Sequence, residues 1–296
     1  MFTKLQKNLL HVYDRQYKKL LIIPFLLIAL SIAIISYHYA TTGEVFKKDV
    51  SLKGGITITV LYNKLIDSEA FRSGLSSQLK RDVTVRVLSE SGKDIGFIVE
   101  SEGTGDDVPA VISAIESKVG KLSSELFSVQ VIGSTLSQSF LKEALISLAL
   151  AFVLMGIAVL LYFRVIVPSL FVISAALSDI LCTFAVIVLL NIPLSTAGLA
   201  AFLMLIGYSV DTDILLTTRV LRGKEGSVFD RTVGAMKTGI FMTLTALAAT
   251  VVGLIFSQAD TIKQIMLVLS IGLVFDMIHT WLTNAGVLRW YVESKR

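Results

Sequence analysis

The sequence predicts a polytopic α-helical membrane protein of six spans carrying one extracytoplasmic α+β domain of ferredoxin-like pattern. Three observations predict it. Six apolar runs approach the roughly 20 residues needed to cross about 30 Å of hydrocarbon at 1.5 Å per residue. One long polar insertion alternates strand-like and helix-like patterns. Lys and Arg gather on alternate loops. The composition agrees: 54% of the 296 residues are hydrophobic and 17% charged, against about 25% charged in soluble globular proteins. Cys182 is the single cysteine, which excludes an intrachain disulfide scaffold, and abundant aliphatic residues with 4 Pro and 20 Gly exclude collagen and disorder.

The elements follow in chain order. Residues 1–19 form an N-terminal segment and residues 20–37 the first span, which reads as an uncleaved anchor rather than a signal peptide because its apolar core is long and other spans follow. Residues 38–143 form the insertion. Within it residues 55–62 (GITITVLY) alternate at period two and are rich in β-branched side chains, a strand. Residues 67–80 read as a helix capped by Asp67, and residues 83–89 and 95–100 as strands joined at Ser91–Gly92. A second helix covers 106–119, with Thr104 or Asp106 as cap and Pro109 in its first turn, and residues 127–132 close with a strand. The order β-α-β-β-α-β is ferredoxin-like, which says nothing of function by itself. Residues 144–290 contain the remaining spans, at 144–163, 167–190, 194–217, 239–256 and 265–290, and residues 291–296 form the C-terminal end.

Charge sets the orientation. Lys4, Lys7, Arg15, Lys18 and Lys19 precede the first span, Arg164 follows the second, Arg219, Arg222, Lys224, Arg231 and Lys237 follow the fourth, and Arg289, Lys295 and Arg296 lie at the end. The loops at 191–193 and 257–261 have no Lys or Arg. The positive-inside rule then places both termini in the cytoplasm and the insertion outside. Of the formal charge of +4, residues 38–143 hold 12 basic and 14 acidic groups, so the positive excess is juxtamembrane and gives no indication of nucleic-acid binding.

An ionisable group at mid-membrane costs at least about 2.5 kcal/mol, so each is a functional candidate. They are Asp179, Asp211, Asp213, Asp276 and His279. Asp179 lies about 18 Å along the helix from Val167 with no basic residue in its span. It must be protonated, face a wet cavity or pair with another helix, which suits a proton carrier; a packing hydrogen bond from a permanently protonated acid is the alternative. Asp211 and Asp213 are two apart and so lie on different faces of the fourth span. Arg219, about 12 Å beyond Asp211, reads either as an ion-coupling partner or as a snorkelling anchor. Asp276 and His279 share a face, as a second relay or, better favoured, a satisfied interhelical pair. Enzymatic readings lack their motifs. The three histidines form no HExxH, Met236 stands where a phosphate loop needs glycine before Lys237, and neither Asp179 nor Asp211 has the flanks of an aspartyl intramembrane protease.

The stretch from Gly207, Tyr208 and Ser209 to Val220 (GYSVDTDILLTTRV) resembles the fourth-span signature of the SecF family of protein-export membrane subunits, in its archaeal form. Ser51-Leu52-Lys53-Gly54-Gly55, Val131-Ile132-Gly133, Ser178-Asp179-Ile180 and a Lys237-Thr238-Gly239 to Thr245 pattern support it, so the resemblance spans nearly the whole chain. It implies half of a resistance-nodulation-division transporter fold that pairs with SecD, associates with the Sec translocon channel and a translocating polypeptide among membrane lipids, and needs no cofactor or metal. In bacterial relatives the pair uses the proton gradient for late translocation. By position Asp179 matches the family's third-span aspartate and Arg219 its fourth-span arginine, both linked to ion coupling. The sequence departs from the bacterial pattern at Ser178 (His), Thr218 (Asp), Ser51-Leu52 (Asp-Phe) and Asp211-Thr212-Asp213 (Asn-Asp-Thr), which leaves the coupling ion open between H⁺ and Na⁺. A half-transporter exporting lipids or small molecules, and a purely structural translocon scaffold, are the competing functions.

Overall fold

The computed structural model describes residues 13–62, 66–90, 93–123, 125–224, 226–257 and 259–295. The expected turn at Ser91–Gly92 and the positions of Lys4, Lys7 and Arg296 lie outside these residues. Among the described residues six helices are long and apolar enough to cross a membrane.

The first is a helix traced from Tyr13 whose apolar part is α1 (Ile22–Thr42). It ends at Gly43, whose N–H donates to the Tyr39 carbonyl and whose left-handed backbone turns the chain out of the helix. A short α2 (Val50–Lys53) follows, capped by the Asp49 side chain, which accepts from the Ser51 N–H. The small domain is then β1 (Gly55–Leu61), α3 (Ser68–Leu79), β2 (Val83–Glu90), β3 (Lys93–Ser101), a 3-10 turn at Gly105–Asp107, α4 (Val108–Val119) and β4 (Phe127–Ile132). The sheet order is β2-β3-β1-β4, antiparallel throughout, which is the ferredoxin-like order. As expected, Asp67 caps α3, accepting from the N–H groups of Glu69 and Ala70. Period-two alternation sends Ile56, Ile58 and Val60 of β1 to one face, where they meet Phe97 and Val99 of β3 and Leu75 and Ile115 of the helices, all fully buried. The Asp107 carboxylate accepts from the Thr104 N–H and hydroxyl and pairs with Arg81 at 2.7 Å. Arg81 first, then Thr104, holds the Asp107 carboxyl below the usual carboxylate range.

The other spans are α5 (Ser134–Phe163), α6 (Ile166–Leu189), α7 (Thr196–Arg222), α8 (Val228–Phe256) and α9 (Asp260–Ile278). A π-helical segment at His279–Asn284 continues α9 into α10 (Ala285–Ser294). Helix α5 starts ten residues before the apolar run at 144, and α8 eleven before the run at 239. Apolarity marks the stretch that crosses hydrocarbon, whereas the backbone hydrogen bonds continue through polar residues until a cap stops them, as Ser227 does for α8 by accepting from the Asp230 N–H.

The free face of the sheet lies over one end of the bundle. Between them is a cavity of about 680 Å³ lined in part by Thr57, Arg86, Glu100, Gln130, Thr196 and Gln264. Glu100 is nearly buried, and burial pushes its carboxyl up even with Arg86 paired to it. Backbone bonds pin the junction: Asp49 donates to the Leu194 carbonyl at 3.0 Å and Leu194 to the Lys47 carbonyl at 2.8 Å. The Thr196 N–H donates to Ser51 Oγ at 3.1 Å, and Leu52 is buried among Leu194, Leu205 and Leu269 of the bundle. Gly54 and Gly55 have positive φ of 82° and 145°. A Cβ on Gly54 would stand 2.7 Å from the Ser134 backbone, so only glycine lets the chain pass the start of α5 this closely.

Candidate functional site

Three spans meet at mid-bundle around four buried ionisable side chains: Asp179 of α6, Asp213 of α7, Asp276 of α9 and His279 of the π segment. Asp179 Oδ1 lies 2.6 Å from His279 Nδ1, and Asp179 Oδ2 accepts from Ser209 Oγ at 2.6 Å. His279 Nε2 is 3.9 Å from Cys182 Sγ, one turn beyond Asp179 on α6. Asp213 Oδ1 accepts from Asn284 Nδ2 at 2.7 Å and lies 2.9 Å from Thr280 Oγ1. Asp276 Oδ1 lies 3.2 Å from the same Thr280 Oγ1, and Asp276 Oδ2 lies 3.4 Å from Thr212 Oγ1.

The local sequence explains the convergence. Residues 276, 279, 280, 283 and 284 recur at helical spacing and form one inward face. The wider π turn buries His279, Thr280 and Trp281 in succession. Ser209 and Asp213 are i,i+4 on α7 and share the face that receives them. The cluster thus holds three carboxyl groups and one imidazole. Among the described residues no lysine or arginine forms an ion pair with any of the acids. Short hydrogen bonds between Asp179, His279 and Ser209 offer a proton a path across α6, α7 and the last span. Because these groups are buried together between the helices, any change of charge there acts on all three.

Of the residues singled out from sequence, Asp179, Asp213, Asp276, His279 and Ser209 are brought together. The two relays read separately are one cluster: His279 pairs across the bundle with Asp179, while Asp276 is held by Thr212 and Thr280. Asp211 and Arg219 are not part of it. Both are exposed on the side of α7, and Arg219 Nη1 donates to the Gly234 carbonyl at 2.9 Å. Ten residues separate Arg219 from Ser209, about 15 Å along the helix. Tyr208 also faces outward, and Gly207 has open space beside it. Leu52, Gly54 and Gly55 stand at the junction of domain and bundle instead. Sequence reasoning missed Cys182, Thr280 and Asn284. The polar string His279-Thr280-Trp281-Leu282-Thr283-Asn284 inside an apolar span was the available signal.

Comparison with known proteins agrees in family and in fold. The family described as protein export membrane protein SecD/SecF, C-terminal, matches residues 111–294. The protein-export membrane protein SecF of Methanocaldococcus jannaschii is 39% identical over 290 residues, covering 95% of this chain and 98% of that protein. SecF of Pyrococcus furiosus is 37% identical over 279 residues, covering 94% and 92%. The crystal structure of SecDF, a translocon-associated membrane protein from Thermus thermophilus, superposes with a TM-score of 0.74 at 16% identity over 95% of this chain. The matched part is 38% of that longer chain, and at this identity the likeness is one of fold. With archaeal SecF proteins matched nearly end to end, this chain belongs to the SecF family of protein-export membrane proteins.

Proposed function

We propose that the chain is the SecF half of a SecD–SecF pair that uses an ion gradient to promote late protein translocation, acting as a transport subunit rather than an enzyme. The observation that carries the reading is the buried Asp179–His279–Ser209 arrangement at the centre of three spans. Loading or releasing an ion at Asp179 changes the charge held between α6, α7 and α9. The turn between α6 and α7 is tied to the segment leading into the small domain through Leu194 and Thr196, and Gln264 of α9 is bonded to that turn at Ser195. Gln264 is twelve residues from Asp276, about 18 Å along the helix, so a small tilt at the cluster shifts the platform on which the domain stands.

Pairing with SecD is supported by Asp211. It lies near the middle of α7 and is exposed on the surface of the single chain. A bare carboxylate in hydrocarbon costs at least about 2.5 kcal/mol, so a protein surface that supplies polar partners covers this face. The distribution of Lys and Arg supports cytoplasmic termini and a small domain on the outer side, positioned to meet an emerging polypeptide beside the Sec channel.

The test is export of a reporter from sealed vesicles containing the channel and the assembled pair, with and without an ionophore. Collapse of the gradient should reduce export to the level of vesicles lacking this chain. An unchanged contribution would contradict coupling and leave a structural scaffold.

A further inference from the structure

Several buried oxygens at the cluster lack a protein partner. Among the described residues Asp213 Oδ2, Thr217 Oγ1 and Asn284 Oδ1 are buried without a hydrogen-bond partner. All three residues are fully buried, and an unpartnered buried polar atom costs about 1–3 kcal/mol, so three neighbouring ones point to a ligand. Asp213 and Thr217 are i,i+4 on α7 and share a face. Asn284 is tied to Asp213 by its own amide at 2.7 Å, which keeps its carbonyl oxygen within a few ångströms of that carboxylate.

Proton counting at Thr280 agrees. Its hydroxyl has one hydrogen yet stands 2.9 Å from Asp213 Oδ1 and 3.2 Å from Asp276 Oδ1. With both carboxyls ionised, one of these contacts is oxygen to oxygen without a shared proton; a proton on one carboxyl or a cation beside it resolves the pair. Asp179 has the His279 imidazole beside it, whereas Asp213 and Asp276 have only hydroxyl and amide partners.

We propose that Asp213, Thr217 and Asn284 form a binding site for one dehydrated sodium ion, with the Asp213 carboxylate, the Thr217 hydroxyl and the Asn284 carbonyl as ligands. The donor set is all hard oxygen, the preference of alkali and alkaline-earth cations rather than of transition metals. One carboxylate balances one monovalent charge, and the three unpartnered oxygens include a single carboxylate oxygen, that of Asp213. Asn284 and Thr280 hold Asp213 Oδ1 at 2.7 and 2.9 Å and leave Oδ2 for the ion, and a carboxylate oxygen, a high-field ligand, favours the smaller alkali ion. As the identity of the coupling ion, this rests on the function proposed above; as a binding site, it stands on its own geometry.

The test is thermal unfolding of the purified full-length chain in NaCl, KCl and choline chloride at matched ionic strength. A saturable rise in Tm specific to sodium is expected. Thr217→Val, which keeps the volume and removes the hydroxyl, should raise the sodium concentration for half-effect about tenfold or more, and Asp213→Asn should abolish the effect. Because Asp213→Asn alters a buried network, the wild-type salt series decides by itself: identical melting in the three salts would overturn the site and leave water as its occupant. Export in sodium-free vesicles separates the two claims. Proton-driven stimulation with identical melting refutes the sodium site alone. Sodium-specific melting with no effect of any gradient on export supports the site and refutes coupling.

Discussion

The small domain and the helix bundle distribute the same amino-acid types in opposite directions. In the domain Ile56, Ile58, Val60, Leu75 and Phe97 are fully buried, and charged pairs such as Arg81–Asp107 lie at the surface. In the bundle Leu161, Phe241 and Phe256 point outward, while Asp179, Asp213, Asp276 and His279 are completely enclosed. Water drives the first arrangement, at roughly 1.5–3 kcal/mol for each large apolar side chain buried. Hydrocarbon gives no such drive between helices, which associate by packing and by polar contacts. The difference shows where to look for function: a charge outside the domain's core needs no special explanation, but an acid inside the bundle does.

That contrast can be broken in steps. The largest expected effect is at His279. His279→Phe removes the partner of an enclosed carboxylate and should cost about 3–5 kcal/mol, read as reduced resistance to SDS unfolding. Leu75→Ala should cost about 2–5 kcal/mol through lost burial and a cavity, whereas Leu161→Ala on the lipid-facing surface should stay within about 0.5 kcal/mol. Similar losses at both positions would refute the two-solvent account. At the junction, Gly54→Ala should cost about 1–3 kcal/mol by combining a positive φ with a backbone clash. Protease sensitivity between the domain and α5 would report it.

The smallest effect concerns acid. Because the Asp107 carboxyl is held below its ordinary range, its contribution is present above the unfolded carboxylate pKa of about 3.9 and is lost as pH falls through the folded value. The domain's calorimetric transition should therefore drop as the solution is acidified below about pH 4, and Asp107→Asn should shrink that drop. An unchanged drop would remove Asp107 from the account.

The legible parts of the molecule were those with a local signature. Alternation in GITITVLY and the Asp67 cap define strand and helix without reference to distant residues. The opposed faces of Asp211 and Asp213 follow from helical geometry alone, and one is indeed exposed and the other enclosed. Helix ends were less legible because Ser134 to Glu143 extend α5 without adding apolarity. The cluster itself was legible only as separate members. Residues 179, 209, 213, 276 and 279 meet because α6, α7 and α9 are neighbours, and one-dimensional spacing does not contain that adjacency.

The most direct measurement is gradient-stimulated export by Asp179→Asn in sealed vesicles, with the assembled pair quantified in parallel. Asparagine keeps the size of the side chain and one acceptor oxygen, with an amide donor in place of the other, but cannot carry a negative charge or release a proton. The account predicts normal assembly with complete loss of the stimulation. Full stimulation by a normally assembled Asp179→Asn pair would contradict it.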